Sequence, residues 1–162
     1  MRRRNSITFA LLVVPAALLL AACGGGDELT KSEYEKEVRS VMVEVRDSDV
    51  FSGGQPKSSD LQKGSDVIET AASDLAEIEP PADVKELHGD LVAGIREFGD
   101  QLGRMAPILA RVEKDPKAGA AAGAELQAVA KDFSGTTEDL EKTINALEDK
   151  GYDTGAGAPA DS

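Results

Sequence analysis

The amino-acid sequence predicts an all-α fold: an antiparallel up-and-down bundle of about four helices. Three observations lead there. Apolar residues fill 41% of the 162 positions and aromatics only 4%, so Ala, Leu and Val carry the core. That composition favours helix over sheet. Apolar positions recur at spacings of three and four in four separate stretches, each bracketed by cap or stop residues. Amphipathic segments joined by short turns bury their stripes most economically against one another.

The first helix is expected from Thr30, because Thr30-Lys31-Ser32-Glu33 has the form of a capping box. Leu29 and Tyr34 are placed to form its hydrophobic staple. Tyr34, Val38, Val41, Met42 and Val45 share one face. Asp47–Lys57 reads as a loop, marked by Gly53, Gly54 and Pro56. The second helix is expected near Ser59, with Gln62 in the box position and Leu61, Ile68, Ala71, Ala72, Leu75 and Ile78 as its apolar face. Pro80-Pro81 stops it. Asp83 with Glu86 suggests a cap for the third helix, whose seam runs from Val84 through Leu91, Ile95, Phe98 and Leu102 to Val112. Pro107 lies inside that seam, where a kink or break is expected. Asp115-Pro116 reads as an N-cap and a first-turn proline. The fourth helix carries Leu126, Val129, Phe133, Leu140, Ile144 and Leu147, with a bend or split expected at Ser134–Thr137. Gly151 ends it, and 151–162 reads as a disordered tail. The bundle domain is thus expected over 30–150.

The first 23 residues have a different character. Arg2, Arg3 and Arg4 precede an almost wholly apolar run, Ile7–Ala22, which ends in Ala21, Ala22 and Cys23. This is the charged, apolar and small-residue order of a secretory signal. The run is short for a membrane span, which needs about 20 apolar residues. Leu20-Ala21-Ala22-Cys23 resembles the lipobox of bacterial lipoproteins. The resemblance implies a signal peptide over 1–22, recognised by its peptidase through Leu20, Ala21 and Ala22. It also implies lipid on the thiol of Cys23, which becomes the new N-terminus. Diacyl anchoring is stable where one chain is marginal. Residues 23–29 would form the lipidated tether, and Gly24–Glu28 spans at most about 17 Å. The expected location is the extracytoplasmic face of the cell membrane.

Charge and residue inventory exclude several function classes. The chain holds 18 basic and 30 acidic side chains; without Arg2, Arg3 and Arg4 the balance is 15 against 30, or -15. Such a surface repels phosphate backbones, so no nucleic-acid partner is expected. One histidine and one cysteine cannot supply the Glu-x-x-His pairs of a di-iron bundle, a C-x-x-C-H haem site or a His/Cys zinc site. No cofactor and no metal are expected. Asp47-Ser48-Asp49 begins like a calcium loop, but Ser52 and Ser58 stand where that loop needs Gly and Glu. No G-x-S-x-G or phosphate loop is present, so no catalytic residues are assigned.

Two residues are candidate contacts for a ligand or partner. His88 neighbours the apolar Leu87 at the start of the third helix and also fits a boundary residue with one hydrogen-bonded nitrogen. Phe51, beside Val50 in the first loop, either folds back over the bundle end or forms an exposed anchor. The segment Pro80–Gly94, with a Pro-Pro turn followed by Leu87-His88, Leu91-Val92 and Gly94, resembles small helical cell-envelope lipoproteins of high-GC Gram-positive bacteria. That resemblance implies an all-helical fold and an envelope location, and carries over no catalytic residues. The expected function is a non-enzymatic interaction or structural module, with an envelope protein or wall polymer as candidate partner. The alternative is a small-molecule or lipid-binding bundle, with Gly94, Gly99, Gly103 and the Pro107 kink opening a cavity.

Overall fold

The computed structural model describes residues 28–48 and 56–156, and these form a bundle of four helices with no strand among them. In chain order they are α1 (Lys31–Asp47), α2 (Ser58–Ala76), α3 (Lys85–Lys114) and α4 (Gly119–Asp149). Short 3₁₀ turns, Ala82–Val84 and Pro116–Ala118, lead into α3 and α4.

The helix starts follow local chemistry. Thr30 and Glu33 form the expected capping box: the Thr30 amide donates to Glu33 Oε2 at 2.9 Å, and Thr30 Oγ1 accepts from the Glu33 amide at 3.4 Å. Asp115 caps the turn into α4, its Oδ1 accepting from the Lys117 amide at 3.0 Å. Two expected caps are corrected. At α2 the box carboxylate belongs to Asp60, which accepts from the Lys57 amide at 3.0 Å. Glu113 of α3 then reaches across, its two oxygens accepting from the Ser58 amide (2.9 Å) and hydroxyl (2.6 Å). At α3 no side chain caps the N-terminus, and Asp83 instead accepts from the Tyr152 hydroxyl.

α3 is the central helix. Its seam residues Leu91, Ile95 and Leu102 are buried, and so is a second set: His88, Val92, Gly99, Gln101, Ala106 and Ile108. A helix covered on two sides needs two stripes, one for α2 and one for α4. Small residues let the partners approach. A Cβ on Gly94 would lie 2.6 Å from Leu140 Cδ2, and one on Gly99 would lie 3.1 Å from Ile68 Cγ2. These glycines are therefore filled by neighbouring side chains; the cavity expected from them is not what they form. Between α3 and α4, Gln101 Nε2 donates to Thr136 Oγ1 at 2.7 Å. Gln101 Oε1 is buried and, among the described residues, has no partner.

The main core gathers Tyr34, Val38, Ile68, Leu75, Leu91, Leu147 and their neighbours. A smaller cluster, Ile108, Ala122 and Val129, holds the far ends of α3 and α4 together. Neither expected interruption breaks its helix. α3 runs unbroken through Pro107, which is exposed while Ala106 and Ile108 beside it are buried. α4 runs unbroken through Ser134–Thr137, where Thr137 Oγ1 donates to the Phe133 carbonyl at 2.8 Å.

The expected tail is corrected in its first part. Gly151, at φ 83°, closes α4 with a Schellman motif: the Tyr152 amide donates to the Leu147 carbonyl (2.9 Å) and the Gly151 amide to the Glu148 carbonyl (2.7 Å). Tyr152 and Thr154 are then buried, 5% and 2% exposed. The following residues fasten onto α1, with Arg39 donating to Asp153 at 2.5 Å and the Asp153 amide donating to Glu35 Oε1 at 3.1 Å. The folded unit therefore runs from Leu29, whose amide donates to the Glu79 carbonyl, to at least Thr154.

Candidate functional site

The most chemically varied part of the molecule is the end where α1 and α3 begin and α2 and α4 finish. Tyr34 enters from the first turn of α1 and is fully buried. Its hydroxyl lies 3.1 Å from His88 Nδ1 on α3. Its ring meets Tyr152 edge-on, with centroids 5.6 Å apart and planes at 85°. The Tyr152 hydroxyl donates to Asp83 Oδ1 at 2.8 Å, and Lys31 Nζ stands 5.1 Å from the centre of the Tyr152 ring. Edge-on aromatic pairs and cations over rings are both favourable arrangements.

Burial sets the protonation of this cluster. Desolvation, then the repulsion an ionised Tyr152 would exert, pushes the Tyr34 phenol up to about 12. Desolvation, then the hydrogen bond to Asp83, pushes Tyr152 up to about 12. Both therefore keep their protons and act as donors. His88 is pulled below the usual imidazole range by burial, against the opposing effects of the Leu75 backbone carbonyl and the Glu79 charge. The neutral ring then accepts a hydrogen bond from the Tyr34 hydroxyl at Nδ1, the tautomer that a protonated phenol donor requires. His88 is thus a core residue joining α1 to α3; the boundary reading foresaw a hydrogen-bonded ring nitrogen but not the burial.

The pH consequence is direct. A lowered folded pKa means that the unfolded chain binds the proton more readily. The contribution of His88 is fully present above its unfolded value near 6.5 and is lost as pH falls through 6.5 toward the lower folded value. Wild-type protein should show a lower urea midpoint at pH 5.5 than at pH 7.5, with a slope of at most about 1.4 kcal/mol per pH unit from this group. His88→Gln should flatten that slope. A variant with the wild-type slope would show that His88 is not the titrating group.

Outside this cluster lies a surface hollow of about 390 Å³, bounded by the α2–α3 turn and one face of α3. His88 and Glu79 both line it, together with the apolar Pro80, Val92 and Ala93 and the cations Lys85 and Arg96. A larger groove of about 570 Å³ runs between the far ends of α3 and α4 over Pro107, Ile108, Ala128 and Val129. Its rim arginines are already matched, Arg104 with Asp132 and Arg111 with Glu125. Among the described residues no group of three or more His, Cys, Asp or Glu side chains is placed to hold a metal ion. Among them, too, no helix is long and apolar enough to cross a membrane.

Of the residues singled out from sequence, His88 is in the described structure. Leu20, Ala21, Ala22, Cys23, Val50 and Phe51 lie outside the described residues. Sequence reasoning missed Tyr152, and gave Asp83 a helix-capping role instead of its bond to the Tyr152 hydroxyl. The signal for Tyr152 was present: an aromatic residue directly after a helix-ending glycine is the usual hydrophobic partner of a Schellman cap. No known protein-family model, curated protein or solved structure matches this chain.

Proposed function

We propose that the protein is a lipid-anchored lipoprotein of the extracytoplasmic membrane face, and that its helical domain is a non-enzymatic interaction module of the cell envelope. The observation that carries the reading is the N-terminal order of Arg2-Arg3-Arg4, the apolar run and Leu20-Ala21-Ala22-Cys23. A cysteine thiol at that boundary is the one strong nucleophile available for acylation. The fold is compatible with it: the first described residues, Glu28 and Leu29, lead directly into the bundle end that holds His88. The acidic excess disfavours direct adsorption to anionic lipid, which makes a covalent anchor physically useful. An envelope protein or wall polymer is the partner class we assign to the exposed helix faces.

A second reading, a bundle that binds a small molecule or lipid, draws on the surface hollows rather than on an internal cavity. The hollow beside His88 has a volume in the range of small-ligand sites.

Anchoring is tested by Cys23→Ser. The wild-type protein should partition into the detergent phase, and the variant should lose that partitioning entirely or accumulate uncut. A variant that is processed and anchored normally would overturn the reading.

A further inference from the structure

We infer that α1 is an acid-sensitive latch: it opens as a unit from a standing α2–α3–α4 core, and a proton on Nδ1 of His88 favours the open state. α1 is lightly held. Of its 17 residues only Tyr34 and Val38 are buried. Among the described residues, its side-chain hydrogen bonds to other elements lie in its first half: Tyr34 with His88, and Glu35 and Arg39 with Asp153. Farther along, Val41 and Val45 face Val67 and Ala71 of α2 across an open hollow of about 110 Å³. The other three helices are joined without α1. Ser65 Oγ donates to the Gly99 carbonyl at 2.9 Å, Gln101 donates to Thr136, and the Phe98 and Phe133 ring centroids are 4.6 Å apart. The second hydrophobic cluster contains no α1 residue. A segment with few buried contacts, resting on a core joined without it, opens ahead of global unfolding.

His88 couples this opening to acid. Its Nδ1 is the nitrogen that takes up a proton, and the hydrogen-bond partner of that nitrogen, the Tyr34 hydroxyl, belongs to α1. A proton there turns the acceptor into a donor, and it faces a phenol that keeps its own proton. The closed state loses that bond, whereas the open state offers Nδ1 to water. The groups around the ring come from each neighbouring element. α1 presents Tyr34, α2 the Leu75 carbonyl, the α2–α3 turn Glu79, and α3 itself Lys85 and Arg96 in the hollow that His88 lines. After α4, Tyr152 packs on Tyr34, with its hydroxyl committed to Asp83. Burial opposes the proton most strongly, and the Leu75 carbonyl and Glu79 favour it. Opening uncovers Leu75 and Leu147, which share a cluster with Tyr34 and Val38, so acid bares an apolar surface at this end of the bundle. The inference goes beyond the anchoring proposal and does not depend on it.

The test is amide hydrogen exchange on the chain from Gly24 onwards, since both hydrophobic clusters lie within the folded unit that begins at Leu29. Each rate is divided by that of an unstructured chain at the same pH, which leaves the opening equilibrium. Val38, Val41 and Met42 of α1 should be at least about tenfold less protected than Leu91, Ile95 and Leu102 of α3. Between pH 7.5 and pH 5.5 the α1 protection should fall about tenfold, the change expected of an imidazole that is neutral when closed and titrates near 6.5 when open. His88 is the chain's single histidine, so His88→Gln should cut that fall to less than about twofold. Equal protection in α1 and α3 would show that α1 does not open separately. An α1 protection that ignores pH would show that its opening leaves His88 covered. A tenfold fall kept in His88→Gln would show that another group titrates. Each of these overturns the inference, and wild-type protein alone decides the first two. Because Cys23 is absent from this chain, none of them bears on anchoring.

Discussion

A chain ended after Lys150 should lose about 3–5 kcal/mol of stability, the range for removing a large buried aromatic. Tyr152 is only 5% exposed and belongs to the main core, so its loss uncovers Tyr34 and Leu147. The truncation also strips the Schellman hydrogen bond to Leu147, leaves Asp83 without its phenol donor, and removes Asp153 from Arg39. The exposed Arg39–Asp153 pair contributes little beside the aromatic burial. Against a total stability of about 5–15 kcal/mol, the loss is large enough to leave part of the chain unfolded at 37 °C. A chain ended after Ala156 keeps all of these contacts and is the reference. Urea denaturation of the two should show a clearly lower midpoint for the shorter one. Coincident curves would mean that the residues after α4 do not dock.

Tyr34→Ala should cost a similar amount, about 3–5 kcal/mol, and Tyr34→Phe about 1–3 kcal/mol. The phenylalanine variant isolates one effect. It keeps the ring against Tyr152 and removes only the hydroxyl that His88 Nδ1 accepts from, so a buried acceptor is left unpaired. The alanine variant also empties a site that is fully enclosed in the wild type. Because Tyr34 and Tyr152 touch, the alanine change and the truncation should not add; together they should cost less than their sum. Denaturation of the two single variants and the double variant measures that coupling. Strict additivity would mean that the two aromatics do not share one cluster.

Much of the fold was legible because helix ends are local chemistry. The Thr30–Glu33 box, the Asp115 cap and the glycine stop at Gly151 each need only a few neighbouring residues, and each forms as its sequence suggests. The second face of α3 was harder to read. A single stripe of large apolar residues stood out, while His88, Gly99, Gln101 and Ala106 do not announce burial by type. They are buried because α2 and α4 both cover α3. The start of α2 depends on Glu113, which lies 55 residues away in sequence and could not be paired from local pattern.

The local preferences at Pro107 and Ser134–Thr137 did not break either helix, and both run through these positions. Proline removes one hydrogen bond, but buried Ala106 and Ile108 hold that turn of α3 in place. The sequence by itself determined the helical class, the helix-ending chemistry and the N-terminal signature at Cys23, because each is written in adjacent residues. Tertiary structure alone decided that Tyr152 packs edge-on against Tyr34, that His88 is held by Tyr34, and that Glu113 reaches the start of α2. Those relations join residues tens of positions apart, and they exist only once the helices have packed.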